Sequence, residues 1–300
     1  MRFGMDYGGT NIKAGVFDEN GKSLRFVEKK LVGFSSSGNL LENLISHAKN
    51  IIGNYKIQSG GFAIKGLINT ETGVLENDIG AGQMLAGINL KKTFSDELGF
   101  PFIVENDASA YAWGEYKFGA GKGSKAMVCM TLGTGYGCAL VADGKPYCGS
   151  DSSGGLLGGH ISIDKNGPEC SCGNKGCLEL YCSATALNKK VKDLYPALSN
   201  KVDVLPEFFL RVKKGDRQLL NTFNEFIDDL SIGIVNAIHA YGPDVVVLGG
   251  GVMNSADVIL PPLIKLVHRR AWTYPKNKVE IRKSLLGNNA AAIGAAFLER

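Results

Sequence analysis

The chain has 300 residues and a mass of 32.0 kDa, which exceeds the usual size of one compact domain, so we expect two domains. Its 33 basic and 29 acidic residues give a net charge of +4 and are scattered along the chain, which argues against nucleic-acid binding. The N-terminus lacks the apolar core of a signal peptide, and no apolar run approaches the roughly 20 residues that span a bilayer. We therefore expect a soluble cytoplasmic protein with neither a nucleic-acid nor a membrane partner.

Two stretches of the chain follow one pattern. The first, "MDYGGTNIKAGVF", covers residues 5–17, and the second, "MTLGTGYGCALVA", covers residues 130–142. Each passes from an apolar strand through a Gly/Thr turn into a second apolar strand. This similarity predicts two related half-domains, each opening with a β-hairpin whose tip carries bare backbone N–H groups.

Helices and strands alternate in the first half. Apolar residues recur at helical spacing over residues 38–55, and the strand-like "GGFAI" follows. A helix ending at Gly99, the strand "FIVE" and a helix ending at Gly119 come next. The stretch "GAGKGSK", from Gly119 to Lys125, is the best linker candidate.

The second half continues the alternation. A long helix is predicted over 219–242, and the buried strand "DVVVLGGGV" follows it. A further helix covers 256–272, and we expect its regular part to begin at Pro261 and Pro262. The terminal "NNAAAIGAAFLER" predicts a small-residue helix that packs closely against a neighbour.

Three glycine-rich turns each follow a strand, at Asp6 to Thr10, Gly133 to Gly137 and Gly249 to Gly251. Glycines let the backbone approach an anion, and exposed N–H groups bind phosphates. One such turn alone is better explained as a tight hairpin, but three in one chain favour a nucleotide. None has the pattern of a P-loop or of a Rossmann dinucleotide site.

One histidine and three cysteines form a second chemical pattern. His160, Cys170, Cys172 and Cys177 supply one nitrogen and three thiolates, the closed ligand set of a structural zinc ion. The alternative, free cysteines in an apolar core, is disfavoured because "PECSCGNKGC" is rich in glycine and polar residues. A closed set leaves no position for a substrate, so the zinc is expected to be structural.

The motifs together resemble the ROK family (repressors, open reading frames, kinases) of the actin-like ATPase superfamily. The matching stretches, in the family's order over essentially the whole chain, are "DYGGTNIK", "VENDASAYAWGE", "LGTGYG", "GGH" with "CSCGNKGCLE", and "VVVLGGGV". The resemblance implies an α/β fold of two actin-like ATPase (ribonuclease H-like) domains that close on ATP and a sugar in a cleft. It implies a small N-terminal domain of residues 1–120 plus 289–300 and a larger domain of residues 121–288 with the zinc loop.

The resemblance also implies the functional residues. Asp107 matches the family's general base toward a sugar hydroxyl, although position alone favours the simpler interpretation that Asn106 or Asp107 caps the helix. Asp6 matches the acidic residue near magnesium and phosphate, while Lys13 is either a phosphate contact or a surface charge. The residues that the resemblance implies for sugar binding are Asn106, Asp107, His160, Glu179 and Gly66. The residues that it implies for Mg-ATP binding are Asp6, Gly8, Gly9, Thr10, Asn11, Lys13, Gly133, Thr134, Gly135, Gly249, Gly250 and Gly251.

Two departures from the family pattern concern the sugar. Leu157 stands where the family's sugar motif has a glutamate, and a missing acceptor of this kind alters substrate preference. Lys65 stands where the family usually has proline, and the loop before Asn89 lacks the usual tryptophan. The identity of the sugar is therefore left open by the sequence.

The expected activity is ATP-dependent phosphorylation of a hexose, by analogy at the 6-hydroxyl of glucose or a related sugar. Kinases of N-acetylmannosamine, N-acetylglucosamine, fructose and allose are relatives and remain alternatives. A sugar-sensing repressor is disfavoured because only five residues precede Asp6, and a sugar-binding protein without catalysis is disfavoured because the base and the phosphate turns are retained. Relatives are commonly homodimers or homotetramers, and some accept polyphosphate, so the assembly and the phosphoryl donor also stay open.

Overall fold

The computed structural model describes residues 1–31, 39–77, 81–149 and 158–299. The strands, in chain order, are β1 (Arg2–Tyr7), β2 (Asn11–Phe17), β3 (Ser23–Lys30), β4 (Ser59–Ile64), β5 (Leu67–Asn69), β6 (Val74–Asn77), β7 (Phe102–Asn106), β8 (Ala126–Leu132), β9 (Tyr136–Ala142), β10 (Lys145–Pro146), β11 (Val245–Gly249) and β12 (Glu280–Lys283). The α-helices are α1 (Leu40–Ile52), α2 (Leu90–Leu98), α3 (Asp107–Phe118), α4 (Glu179–Cys182), α5 (Ala184–Leu194), α6 (Leu205–Lys213), α7 (Arg217–Tyr241), α8 (Ala256–Arg270) and α9 (Ala290–Ala296).

Two five-stranded sheets share one strand order. The first runs β3-β2-β1-β4-β7, and the second runs β10-β9-β8-β11-β12. In the first, β1, β4 and β7 are parallel and β2 and β3 are antiparallel; in the second, β8, β11 and β12 are parallel and β10 is antiparallel to β9. This correspondence agrees with the internal similarity of the two hairpin sequences, and the α/β fold class is confirmed.

The described residues group into two compact units. The first consists of Met1–Gly123, Ala139–Leu156 and Leu285–Arg300, and the second consists of Ser124–Cys138 and Leu157–Ser284. The first change of unit falls after Gly123, inside the glycine-rich stretch that the sequence marks as a linker. The domain boundaries drawn at residues 120 and 288 stay a prediction.

Successive residues of β1 face opposite sides of the first sheet. Phe3, Met5 and Tyr7 are buried in the apolar core that includes α1 and α2. Gly4 faces the other way, and a Cβ on it would lie 1.9 Å from the carbonyl oxygen of Ala292 in α9. The absence of a side chain therefore lets α9 pack directly on the sheet.

Helix α9 also packs closely on α3. A Cβ on Gly294 would lie 1.7 Å from the carbonyl oxygen of Ala110, and every residue of α9 is buried. The indole Nε1 of Trp113 in α3 donates a hydrogen bond to the carbonyl oxygen of Phe297, at 2.9 Å. The close packing that the small-residue sequence predicts is therefore present.

Most helix ends follow local sequence signals. The Asn39 side chain caps α1 by accepting from the N–H of Leu41 at 3.1 Å, and Gly99 ends α2 in the left-handed conformation at φ 79°. The prediction for α8 is wrong in one respect, because the helix begins at Ala256 and holds Pro261 and Pro262 inside it. Each proline has a helical φ but removes one N–H and crowds the carbonyl four residues earlier, so the helix continues through the pair at the cost of two hydrogen bonds.

None of the helices in the described ranges is both long and apolar enough to cross a lipid bilayer.

Candidate active site

The first glycine turn joins β1 to β2 in the first unit. The Gly8 N–H donates to the carbonyl oxygen of Asn11 at 3.1 Å, and the carbonyl oxygen of Thr10 accepts from the N–H of Leu31 at 2.9 Å. Gly9 and Thr10 at its tip are exposed. The Asn11 side chain lies toward Glu28, to which its amide donates a hydrogen bond at 2.6 Å. The tip is therefore the part of the turn that is open to a ligand.

A buried carboxylate stands beside this turn. Asp6 is only 5% exposed, and its Oδ2 lies 3.6 Å from the Nζ of Lys13 on the paired strand. The pKa of Asp6 is raised to about 7, chiefly because burial disfavours the charged form; Lys13 lowers the pKa, and the charge of Asp107 raises it. The site therefore concentrates negative charge where a cation or a proton would be bound.

The carboxyl end of β7 carries Asn106 and Asp107. Asn106 caps α3, since its Oδ1 accepts from the N–H groups of Ala108 at 2.9 Å and Ser109 at 3.3 Å. Asp107 is the first residue of α3, and its Oδ1 also accepts from the Ala108 N–H at 2.9 Å. Asn106 and Asp107 therefore lie at the N-terminus of α3 and cap it. Capping is compatible with the role of general base that the resemblance implies for Asp107.

Asn106 also joins two neighbouring strand ends. Its Nδ2 donates to the carbonyl oxygen of Gly66 at 3.1 Å, and Gly66, which follows β4, has a φ of 120°. In the strand register Tyr7 is paired with Ile64 and Ile64 with Asn106. The sheet therefore brings Asp6, Gly66, Asn106 and Asp107 to one edge, the carboxyl edge where α/β folds place their ligands.

The second glycine turn belongs to the second unit and lies between β8 and β9. The Gly133 N–H donates to the carbonyl oxygen of Gly135 at 3.0 Å, which closes the turn. Glu179, the first residue of α4, lies against it, since its Oε2 accepts from the Tyr136 N–H at 2.8 Å. The structure thus places a residue predicted to bind sugar in contact with a turn predicted to bind phosphate.

The third glycine turn follows β11 in the same unit. Gly250 has a φ of 86°, and a Cβ there would lie 2.4 Å from the carbonyl oxygen of Leu132. Only glycine satisfies both requirements, so the strand leaves the sheet here and passes into a 3-10 turn over Gly251–Ser255. The second and third turns therefore lie at the ends of the paired strands β8 and β11.

His160, Cys170, Cys172 and Cys177 converge in the second unit. One ligand atom from each lies within 4.8 Å of all the others. The Nδ1 of His160 is 3.6 Å from the Sγ of Cys170, and the Sγ atoms of Cys172 and Cys177 are 3.6 Å apart. Tetrahedral zinc with Zn–S bonds of about 2.3 Å requires ligand separations of about 3.6–3.8 Å, so these two separations and the set of donors fit zinc.

The backbone around the cluster is a tight knuckle. The Cys170 N–H donates to the carbonyl oxygen of Asn174 at 2.8 Å, and the Gly173 N–H donates to that of Cys170 at 2.9 Å. Gly173 has a φ of 90°, and a Cβ on Gly176 would lie 1.8 Å from the carbonyl oxygen of Asp164. The glycines of "CSCGNKGC" therefore allow the tight backbone turns that bring its three thiols together.

One predicted residue lies outside the described part of the chain, and two residues that support the second turn were not predicted. Leu157, where the family's glutamate is missing, lies outside the described residues. The sequence analysis did not identify Ala184 and Thr185, which hold the second turn through the carbonyl oxygens of Gly133 and Thr134 at 2.8 and 2.7 Å. Their only local signal is Ser183, a helix cap whose Oγ accepts from the Ala186 N–H at 3.1 Å.

Known proteins resemble the chain over its whole length. The chain is 29% identical to the glucokinase of Thermotoga maritima, with 98% of this chain and 96% of the relative covered. It is 32% identical to the glucokinase of Halalkalibacterium halodurans, with 98% and 93% covered. A crystal structure of a ROK family glucokinase from Streptomyces griseus, in complex with glucose and AMPPNP, is similar with a TM-score of 0.82 at 27% identity, covering 98% of this chain and 97% of that one.

The family model agrees with these relatives. It is described as that of the ROK family, and it matches residues 2–300. A match of that extent includes both sheets and every motif described above. The chain therefore belongs to the ROK family.

Proposed function

We propose that this protein is an ATP-dependent hexose kinase and that Asp107 is its general base. The observation that carries the proposal is the position of Asp107 at the carboxyl edge of the first sheet, directly after the row of Tyr7, Ile64 and Asn106, where its charge raises the pKa of Asp6. The glucokinases among the relatives, one of them solved with glucose and AMPPNP, support the same activity. We assign the acceptor to the 6-hydroxyl of glucose or a related hexose.

The reaction moves one phosphoryl group and one proton. Asp107 takes the proton of the sugar hydroxyl, the hydroxyl oxygen forms a bond to the γ-phosphorus, and the bond from that phosphorus to the β–γ bridging oxygen breaks. ADP leaves with the bridging oxygen. Because Asp107 is fixed at the first turn of α3, its carboxylate is oriented before the sugar arrives.

We assign sugar binding to residues at the same sheet edge and to residues in or next to the Cys/His cluster. Asn106 is held by Gly66 and by its own helix, so it presents a fixed amide to neighbouring hydroxyls. The Nδ1 of His160 lies 3.6 Å from the Sγ of Cys170, and with a metal held at Nδ1 the Nε2 would carry the proton that a sugar hydroxyl accepts. Glu179 keeps Oε1 for a hydroxyl, because Oε2 is bonded to Tyr136.

The phosphate groups of ATP are assigned to the glycine turns, with Gly8, Gly9 and Thr10 in the first unit and Gly133, Thr134 and Gly135 in the second. Gly249, Gly250 and Gly251 are assigned to the adenosine part. Mg²⁺, when bound, neutralises the phosphate charge, and the buried Asp6 carboxylate is the residue that would hold it, through water. Lys13 balances the charge of Asp6 at 3.6 Å, and Asn11 is bonded to Glu28, so their roles toward ATP are indirect.

We also propose that His160, Cys170, Cys172 and Cys177 hold a structural zinc ion. The donor set and the 3.6 Å separations support it. Zinc, when bound, stabilises the knuckle and thereby the segment that carries His160 and Glu179. The homodimer or homotetramer stays a prediction, which light scattering tests.

The activity is tested with an assay that couples ADP release to a visible signal, using zinc-replete protein, Mg-ATP and a panel of glucose, mannose, fructose, allose, N-acetylglucosamine and N-acetylmannosamine. We expect turnover with one preferred hexose. The Asp107→Asn variant should keep sugar binding and lose nearly all turnover, whereas substantial residual turnover would remove Asp107 from the role. A protein that binds a sugar by calorimetry but turns over none would instead be a sugar sensor.

A further inference from the structure

The second glycine turn is held from one side by the segment that opens α4 and α5. Three bonds do this: the Tyr136 N–H donates to Glu179, the Ala184 N–H donates to the carbonyl oxygen of Gly133, and the Thr185 hydroxyl donates to that of Thr134. Their lengths are 2.8, 2.8 and 2.7 Å. The carbonyl oxygens of Gly133 and Thr134 and the N–H of Tyr136 are therefore bonded within the second unit.

These bonds decide which groups of the turn remain for a ligand. Within the described ranges, no hydrogen bond engages the N–H groups of Thr134 and Gly135. An anion bound there would meet two N–H donors, while the carbonyl oxygens of Gly133 and Thr134 are bonded to α5 and that of Gly135 is bonded to the Gly133 N–H. This is the polarity that a phosphate requires.

The Glu179 carboxylate is in close contact with the turn. A Cβ on Gly135 would lie 2.6 Å from its Oε2, so a side chain at position 135 would displace it. A carboxylate repels phosphate, so Glu179 does not contact the nucleotide itself. Glu179 instead stabilises the turn by accepting the hydrogen bond from the Tyr136 N–H.

Glu179 is in turn fixed by the zinc loop. Leu178 separates it from the ligand Cys177 and is 1% exposed. The Leu178 N–H donates to the carbonyl oxygen of Ile161 at 3.0 Å, and its side chain fills the space over Gly233, where a Cβ would meet it at 2.3 Å. The backbone from the cluster to Glu179 is therefore packed on α7 through Leu178.

We propose that Glu179 is a positioning residue for nucleotide binding, which holds the second glycine turn in its phosphate-binding conformation through Tyr136. This role is additional to the sugar contact assigned above and rests on the proposed kinase function. The loop that carries the Cys/His cluster would then support nucleotide binding as well as sugar binding.

Calorimetry of Mg-AMPPNP without sugar separates the two roles. We expect Glu179→Ala to weaken nucleotide binding about tenfold, because a hydrogen bond to a charged acceptor is lost. Glu179→Gln keeps an oxygen that accepts from Tyr136, so it should stay within about threefold of the wild type. Glu207→Ala, an ion-paired glutamate on α6 of the same unit, is the matched control and should bind as the wild type does.

Two further measurements keep the test decisive. Thr185→Val removes another bond to the turn, so it should also weaken nucleotide binding, even if Glu179→Ala folds poorly. Exchange of the Tyr136 amide hydrogen should accelerate in Glu179→Ala and not in Glu179→Gln. A Glu179→Ala protein that binds the nucleotide as the wild type does, while losing sugar binding, would overturn the positioning role alone. Wild-type protein that binds no nucleotide would overturn the kinase function and this inference with it.

Discussion

Lys13 Nζ lies 3.6 Å from Asp6 Oδ2, yet this ion pair does not offset the burial of the carboxylate, whose pKa is raised to about 7. The folded protein therefore holds a proton on Asp6 that the unfolded chain releases near its ordinary pKa of 3.8. The stability that this proton contributes is complete below pH 3.8 and is lost as the pH rises toward 7.

Asp6→Asn imitates the protonated carboxyl group at every pH. Without Mg²⁺ and nucleotide, the variant should match the wild type near pH 4 and exceed it by a few kcal/mol in free energy of unfolding at pH 8. Urea unfolding across this range measures the difference. Asp96→Asn changes an exposed aspartate and should show no such growth with pH. A constant difference between wild type and Asp6→Asn would contradict the raised pKa.

Asn106 combines a helix cap with a bond to Gly66, and two variants separate these contributions. Asn106→Ala removes both and should cost about 2 kcal/mol of stability. Asn106→Ser keeps an oxygen for the cap but has no amide for Gly66, so it should cost about 1 kcal/mol. Equal losses in the two variants, measured by denaturant unfolding, would mean that the Gly66 bond contributes nothing.

The Cys/His cluster predicts a metal stoichiometry. Purified protein should contain about one zinc ion per chain, and Cys172→Ser should lower both that content and the melting temperature. Elemental analysis and calorimetric melting measure the two. Cys148 lies outside the cluster, so Cys148→Ser should retain the zinc. A Cys172→Ser protein with full zinc content would exclude Cys172 as a ligand.

Glu115 is a fully buried carboxylate on α3 that the sequence analysis did not single out. Its oxygens accept from the N–H of Ala120 at 2.8 Å, of Leu285 at 3.1 Å and of Leu286 at 2.8 Å, which ties the end of α3 to the segment before α9. Glu115→Ala leaves one buried and two part-buried N–H donors without their acceptor and should cost about 3 kcal/mol.

Two companion variants calibrate that loss. Glu115→Gln retains one acceptor oxygen and should lose roughly half as much stability. Glu19 is exposed in a turn, and Glu19→Ala should stay within about 0.5 kcal/mol of the wild type. Chemical denaturation compares all three, and a Glu115→Ala protein as stable as Glu19→Ala would mean that water replaces the carboxylate at no cost.

The sequence by itself determined the elements and the chemistry that is local in the chain. Helical spacing and caps predicted α1, α2 and α3, and the similarity of the two hairpins predicted two related sheets. The Cys/His cluster was also recognisable in the sequence, because its three cysteines lie within eight residues and glycine fits the tight turns between them. Such features depend on neighbours in the chain, whose preferences are visible in the residue order.

Only the tertiary structure decided which distant groups meet. Sheet register brought Gly66 to Asn106, 40 residues apart, and packing brought Glu179 to Tyr136, 43 residues apart. Glu115 gives no local signal for its bonds to Leu285 and Leu286, because nothing in "WGEYKFG" specifies a partner 170 residues away. A buried polar group takes whatever partner the packed chain supplies, so its role is decided when the core closes around it.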